Sequence, residues 1–186
     1  MTGLETLFDV EPHYCIDTNV IVSFLSESDD EYYGADIFPG HWRQIESLIA
    51  SSEIIAPRQV ERELEGHAKK RSQVGFWLVR HRYMFRDIQC DEQLQLAKQI
   101  VNRYPAYAKT MNYLGDLEVM TLAGALGLKV ITLELPEQQS GQKRPKIPNV
   151  CKEFGIGCLS VAGFLREVRR GSLAAARDTR PRDDAF

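Results

Sequence analysis

The chain lacks any run approaching the ~20 consecutive apolar residues that a membrane-spanning helix needs, so no membrane partner is expected. It also lacks a CxxC pair. Cys15, Cys90, Cys151 and Cys158 stand in four separate settings, none at a zinc-finger spacing to a histidine. Without disulfide or metal spacing, all four are expected as reduced thiols, and metal chemistry at sulfur is not expected. Residues 1–14 carry neither a basic region nor an apolar run, unlike a secretory signal, and the expected compartment is the cytoplasm. Positive charge is not in excess either. The 23 Lys and Arg against 26 Asp and Glu leave −3, which argues against a general binder of polyanions. There is no internal repeat and no low-complexity segment.

What remains is an ordinary globular composition: 186 residues, 44% hydrophobic and 26% charged. That length fits one domain, expected over residues 1–172. After Gly171 the sequence turns alanine-rich and then charged, so residues 173–186 are expected to form a frayed tail.

Tyr14-Cys15-Ile16 reads as a short strand, followed by Asp17-Thr18-Asn19 and an apolar helical start over 20–25. Residues 26–34 are polar and acidic, a loop. Phe38-Pro39-Gly40 opens a helix to about Ala50, with Trp42, Ile45, Leu48 and Ile49 on one face. Ile54-Ile55-Ala56 is a second strand stopped by Pro57, which suits the first position of the next helix. Helical periodicity then continues, with breaks, to about Arg82 and resumes over 92–102. Residues 104–114 read as irregular. A Leu-, Met- and Ala-rich helix begins at Asp116 and ends before Gly127. Residues 129–133 form the clearest strand, and 136–148 a polar, basic loop. A short helix containing Val150 and Phe154 precedes a fourth strand over 157–160 and a last helix containing Phe164, Leu165 and Val168. Short strands alternating with longer helices predict the α/β class, a parallel sheet covered on both faces.

In a parallel sheet all strand C-termini lie along one edge, where ligands bind. Asp17 directly follows the first strand and Glu134 directly follows the strand over 129–133, so the two should converge. Asp116 lies in the first turn of its helix and should reach the same edge, although aspartate is also a common helix cap. Glu61, Glu63 and Glu65 share a helix, and its plainer reading is a solvated acidic face. At 3.6 residues per turn Glu63 falls on the stripe of Val60, Leu64 and His67, whereas Glu61 and Glu65 are expected to point away. A carboxylate on the apolar side needs a partner or a cation. Clustered carboxylates, with no basic neighbour in sequence to neutralise three of them, repel one another unless divalent cations intervene. Hard oxygen donors suit Mg²⁺ or Mn²⁺.

These stretches carry a resemblance. Tyr14-Cys15-Ile16-Asp17-Thr18-Asn19-Val20-Ile21 resembles the opening of PIN domains, an apolar strand closed by Asp-Thr-Asn. Val60-Glu61-Arg62-Glu63-Leu64 is similar to their second acidic motif, and the run from Gly115 to Ala123 to their third. Val130-Ile131-Thr132-Leu133-Glu134 resembles the fourth, which more often ends in aspartate. The order and rough spacing agree over about residues 14–168. Phe38-Pro39-Gly40-His41-Trp42 and Lys146-Ile147-Pro148-Asn149-Val150-Cys151 further resemble a PIN-like subfamily with a Phe-Pro-Gly-X-Trp motif. PIN proteins of this size are commonly VapC-type toxins of type II toxin–antitoxin pairs.

The resemblance implies a PIN-like three-layer α/β/α fold and an endoribonuclease dependent on Mg²⁺ or Mn²⁺. It implies an RNA substrate, a cognate antitoxin and a homodimer. Asp17 and Asp116 would be direct metal ligands, with Glu63 and Glu134 completing the site directly or through water. Asn19 and Thr132 would orient a carboxylate or the phosphate, against the plainer readings of a turn or cap residue and a β-branched strand residue. Lys69, Lys70, Arg71, Arg80 and Arg82 could track an RNA backbone, against the plainer reading of solvated helix surface. Trp42, Trp77, Tyr104 and Tyr107 could stack on bases, although core packing or partner contact suits the tryptophans better.

Two rivals stand beside this reading. A haloacid-dehalogenase-like phosphatase also begins strand–Asp–Thr, but needs a second acid where this chain has Asn19. A PIN-fold module that binds RNA or protein without cutting would not need four intact acids.

Overall fold

The computed structural model describes residues 11–28, 33–137 and 144–178, with the backbone alone over 173–178. Parts of the two expected loops (29–32 and 138–143) and of the expected tail (179–186) lie outside the described residues.

The first strand, β1 (Tyr14–Ile16), is buried along its whole length, as a central strand of a parallel sheet must be. It leads into α1 (Thr18–Phe24) and α2 (Pro39–Ala50), then β2 (Ile54–Pro57), α3 (Arg58–Ala68) and α4 (Ser72–His81). A two-residue strand, β3 (Phe85–Arg86), is followed by α5 (Asp91–Arg103) and α6 (Leu114–Leu126). The chain closes with β4 (Lys129–Thr132), α7 (Ile147–Phe154), β5 (Gly157–Ser160) and α8 (Val161–Asp178). The five strands form one sheet in the order β3-β2-β1-β4-β5, and every pairing is parallel. The expected α/β class is what the chain adopts.

Crossovers in parallel sheets are right-handed. The steps β1 to β2 and β2 to β3 run one way, and β3 to β4 and β4 to β5 the other, so α1–α4 and α5–α7 cover opposite faces. Side chains on a strand alternate in direction, which places Tyr14 and Cys15 on opposite faces. The Tyr14 ring meets Phe164 of α8 edge-on at 5.0 Å, and its hydroxyl donates to Glu167 at 2.7 Å. Cys15 instead faces the side of α7, toward Cys151. Thus α8 joins the α1–α4 layer. One continuous core results, with Val20, Ile21, Ile45, Ile49, Ile54, Val60, Leu64, Val119, Val130 and Phe164 fully buried. Full burial of each such side chain contributes ~1.5–3 kcal/mol.

Several elements differ from expectation. The strand β3 was not expected, because two residues cannot display a period-two pattern, so the sheet has five strands rather than four. Pro57 closes β2 with an extended backbone and caps α3 instead of opening it. A proline fits there because the missing N–H falls at the strand's end. Residues 104–114 contain two single 3₁₀ turns, Pro105–Ala108 and Met111–Tyr113. Pro148 lies in the first turn of α7 rather than ending a loop, a position where proline suits a helix. The last helix continues through Asp178, past Gly171.

The aromatic residues of the Phe-Pro-Gly-His-Trp stretch have a structural task. Trp42 stacks on Phe24 at 5.2 Å and meets Trp77 at 6.0 Å, and Trp77 stacks on His81 at 4.4 Å. Both tryptophans and Tyr107 are buried and so do not offer free faces to bases. Tyr104 is partly buried, bonded to Glu153 and under the Arg103 guanidinium. All four cysteines are free thiols.

Candidate functional site

The strand order turns back on itself at β1 and β4, which lie side by side although β2 and β3 intervene in sequence. Ligand crevices in open α/β sheets form at the carboxyl ends of strands at such a switch point. Asp17 stands there: its N–H donates to Ile131 O of β4 at 3.0 Å. It occupies the N-cap position of α1, yet its side chain makes no capping bond and is left for other partners. Thr132 Oγ1, at the end of β4, donates to Asp17 Oδ2 at 3.0 Å, and accepts the Glu134 N–H at 3.1 Å. The strand therefore ends at Thr132, two residues before Glu134, because this side-chain bond turns the chain.

Glu63, in the second turn of α3, accepts a 2.5 Å bond from Thr18 Oγ1. Its carboxylate lies against the backbone of Gly115 so closely that a Cβ at that position would stand 2.2 Å from Glu63 Oε1. Asp116 follows in the first turn of α6, whose cap position is Tyr113, so Asp116 is not the cap. It pairs with the Arg144 guanidinium. Glu134 accepts the Ile147 N–H at 2.7 Å, and its other oxygen stands 3.5 Å from Lys146 Nζ and 3.8 Å from Arg144 Nη2.

Burial, followed by the charge of Asp116, pushes the Asp17 carboxyl up to about 7; the Thr132 bond opposes this, and the charges of Glu134 and Glu63 add to it. Burial, followed by the charge of Glu134, pushes Asp116 up to about 6, with Arg144 opposing. Among the described residues neither Asp17 nor Glu63 has an ion-pair partner. The bond partners found for them are neutral hydroxyls.

The four carboxylates share one edge, but not one cavity. Asp17, Glu63 and Asp116 line a cavity of about 520 Å³ together with Asn19, Lys70 and Met111. Glu134 lines a neighbouring cavity of about 660 Å³ with Lys146 and Glu137. Asn19 borders both, and Arg144 bridges Asp116 to Glu134. Among the described residues no three His, Cys, Asp or Glu side chains stand close enough, as placed, to hold a metal ion.

Other expectations need correction. Glu61 does not project to solvent: it is 7% exposed, pairs with Arg58 at 2.6 Å, and stands 3.8 Å from Arg82. Helical periodicity alone shows neither the pairing with Arg58 on the same helix nor the approach of Arg82 from beyond α4. Glu65 is exposed as expected. Of the basic residues proposed to track RNA, Lys70 lines the first cavity. Arg82 is engaged with Glu61, Arg71 has a buried Nη1 without a bond, and Lys69 and Arg80 are exposed. Thr132 does hold a carboxylate, whereas Asn19 is exposed at the junction of the cavities and, among the described residues, bonds to no acid.

Sequence reasoning missed Arg144 and Lys146, although both sit in the loop read as polar and basic. A basic loop that folds back over the sheet edge gives no local sign of its destination. Thr18 and Gly115 also escaped notice, although both stand inside the quoted motifs. Gly115→Ala is expected to fold normally, since the end of a flexible glutamate can move and alanine favours a helix by ~0.5–1 kcal/mol. It should nonetheless push Glu63 off Thr18. A crystal structure of the variant with the Thr18–Glu63 bond intact would show that the contact has slack.

No helix among the described residues is long and apolar enough to cross a membrane. No curated protein matches the chain. Residues 14–171, from the first residue of β1 into α8, match the family described as Domain of unknown function (DUF4411). That span holds all four carboxylates and every strand, and the chain belongs to the DUF4411 family.

Proposed function

We propose that the protein is a metal-dependent endoribonuclease whose site is built from Asp17, Glu63, Asp116 and Glu134. The observation that carries the reading is Asp17. A buried carboxylate, without a basic partner among the described residues, stands in the field of three other acids at the sheet's switch point. Such a group is unfavourable on its own, and a cation in the adjoining cavity would relieve it. The donor set is all carboxylate oxygen and hydroxyl, which suits Mg²⁺ or Mn²⁺ rather than a soft metal.

When bound, such an ion supplies an activated water and neutralises charge on the phosphate. The chain's own residues do the rest. Asp17 and Asp116 would hold the ion, and Glu63 and Glu134 would complete its surroundings directly or through water. Thr132 and Thr18 hold Asp17 and Glu63 in place through the bonds at 3.0 and 2.5 Å. Lys70 and Lys146, on the rims of the two cavities, are placed to meet phosphates.

The resemblance to PIN-domain toxins extends the proposal to a cytoplasmic toxin, acting as a homodimer and silenced by a cognate antitoxin. Phe76, Val79 and Tyr83, all exposed on and just after α4, supply apolar surface for such a partner. One observation favours the non-catalytic alternative, an RNA- or protein-binding module: Arg144 and Lys146 already neutralise Asp116 and Glu134.

Titration with Mn²⁺ and Mg²⁺, followed by an RNA cleavage assay with and without chelator, separates the two readings. An endoribonuclease should bind Mn²⁺ and cut internally in a chelator-sensitive manner. A chain that neither binds the ion nor cuts RNA in its presence is a binding module.

A further inference from the structure

We infer that Arg144 is an internal counter-cation of the carboxylate cluster, which a divalent metal must displace from Asp116 and Glu134 in order to enter. The inference rests on the metal-site reading above and deepens it. The cluster is divided by the kind of partner its members have. Asp17 and Glu63 are bonded to the neutral hydroxyls of Thr132 and Thr18. Asp116 and Glu134 are bridged by one guanidinium, with Nη1 on Asp116 Oδ2 and Nη2 at 3.8 Å from Glu134 Oε1. Arg144 thus stands between two of the four proposed ligands, and a metal sharing both would compete with it directly.

The guanidinium has a built resting place. Its carbon lies 4.1 Å from the centre of the Tyr113 ring and 5.9 Å from that of Tyr107, both within cation–π range. Tyr107 fixes the backbone beside it, because its hydroxyl donates to Pro145 O at 2.8 Å. On the other side, Glu134 is tied to the start of α7 through the Ile147 N–H at 2.7 Å. The arginine is therefore held by two acids, Asp116 of α6 and Glu134 after β4, and by two rings from the turns that precede α6, with its side chain only 21% exposed. A planar monocation spread over several nitrogens neutralises these acids less completely than a compact dication can. The tyrosine faces can keep the guanidinium once the acids are taken.

The test is Mn²⁺ binding by calorimetry on the full chain at pH 7.5, comparing wild type with Arg144→Ala and Arg144→Lys. Arg144→Ala is expected to bind Mn²⁺ at least about threefold more tightly, the scale on which a partly exposed ion pair competes. Guanidinium ion at low millimolar concentration should return the affinity of that variant toward wild type. Arg144→Lys, which keeps the charge but not the fork, should fall between. Circular dichroism melts check that each variant is folded. Arg144→Ala binding no more tightly than a wild type that does bind Mn²⁺ overturns the counter-cation role alone. Absence of Mn²⁺ binding by both proteins overturns the metal site itself, and this inference with it.

Discussion

Asp17→Asn is expected to abolish metal-dependent RNA cleavage, by at least about 100-fold or ~2.7 kcal/mol on the barrier, while raising the melting temperature of the metal-free protein at pH 8. The two effects have one cause. Asp17 is a buried acid whose folded-state carboxyl is pushed up to about 7 by burial and by the charge of Asp116, against about 3.9 in an unfolded chain. Between those values the folded state holds a proton that the unfolded state has released, so stability falls as pH rises. Above pH 7 the full penalty is present, on the order of 2–4 kcal/mol. Asparagine has the same shape, can still accept the Thr132 bond, and carries no charge to bury.

Chelator-treated wild type and variant should therefore melt within a degree or two of each other near pH 4. At pH 8 the variant should melt higher by about 5–10 °C. Added Mn²⁺ should reverse the order, because only wild type gains from binding it. A melting difference independent of pH would show that Asp17 is not the strained charge. A variant that cleaves RNA at the wild-type rate would remove it from the site.

The second large effect separates neighbouring acids on one helix. Glu63→Gln is expected to cut Mn²⁺-dependent cleavage by at least about tenfold, ~1.4 kcal/mol on the barrier, with little change in stability. Glu61→Gln should do the opposite. Glu61 is buried between Arg58 and Arg82, so losing its charge should lower stability by about 1–2 kcal/mol, discounted because both arginines are partly exposed. Cleavage should then change by less than about threefold. Glu65→Gln, on the exposed face, should change neither property. Denaturant melts and cleavage rates for the three variants at one salt concentration give the comparison. Equal losses of activity in all three would mean that only the negative charge of α3 matters.

Where the side chains of α3 point was only half legible. The period of the helix correctly set Glu65 toward solvent and aligned Glu63 with Val60 and Leu64. It failed for Glu61, which is buried and paired with Arg58 of the same helix, with Arg82 from the turn after α4 at 3.8 Å. The same distinction separates Thr132 from Asn19. A strand-end threonine beside an adjacent strand's Asp17 has one place to donate, and the bond is there. Asn19, one residue inside α1, faces open space between two cavities.

By itself the sequence determined the alternation of short apolar strands with amphipathic helices, and hence the α/β class. Local apolar runs, periodicities and a helix-ending glycine such as Gly127 act over a few residues and can be read in place. It also determined that Asp17 and Glu134 fall at one sheet edge, since each follows a strand of a parallel sheet, and that Asp116 joins them if its helix runs antiparallel to the strands. Only the tertiary structure decided how those acids are partnered. The 2.5 Å bond from Thr18 to Glu63, the close approach of Glu63 to Gly115 and the Arg144 bridge between Asp116 and Glu134 all join distant segments. Charge in a sequence has a sign and a position, but its partner is chosen by chain crossings and by loss of water, and neither is written in the local pattern.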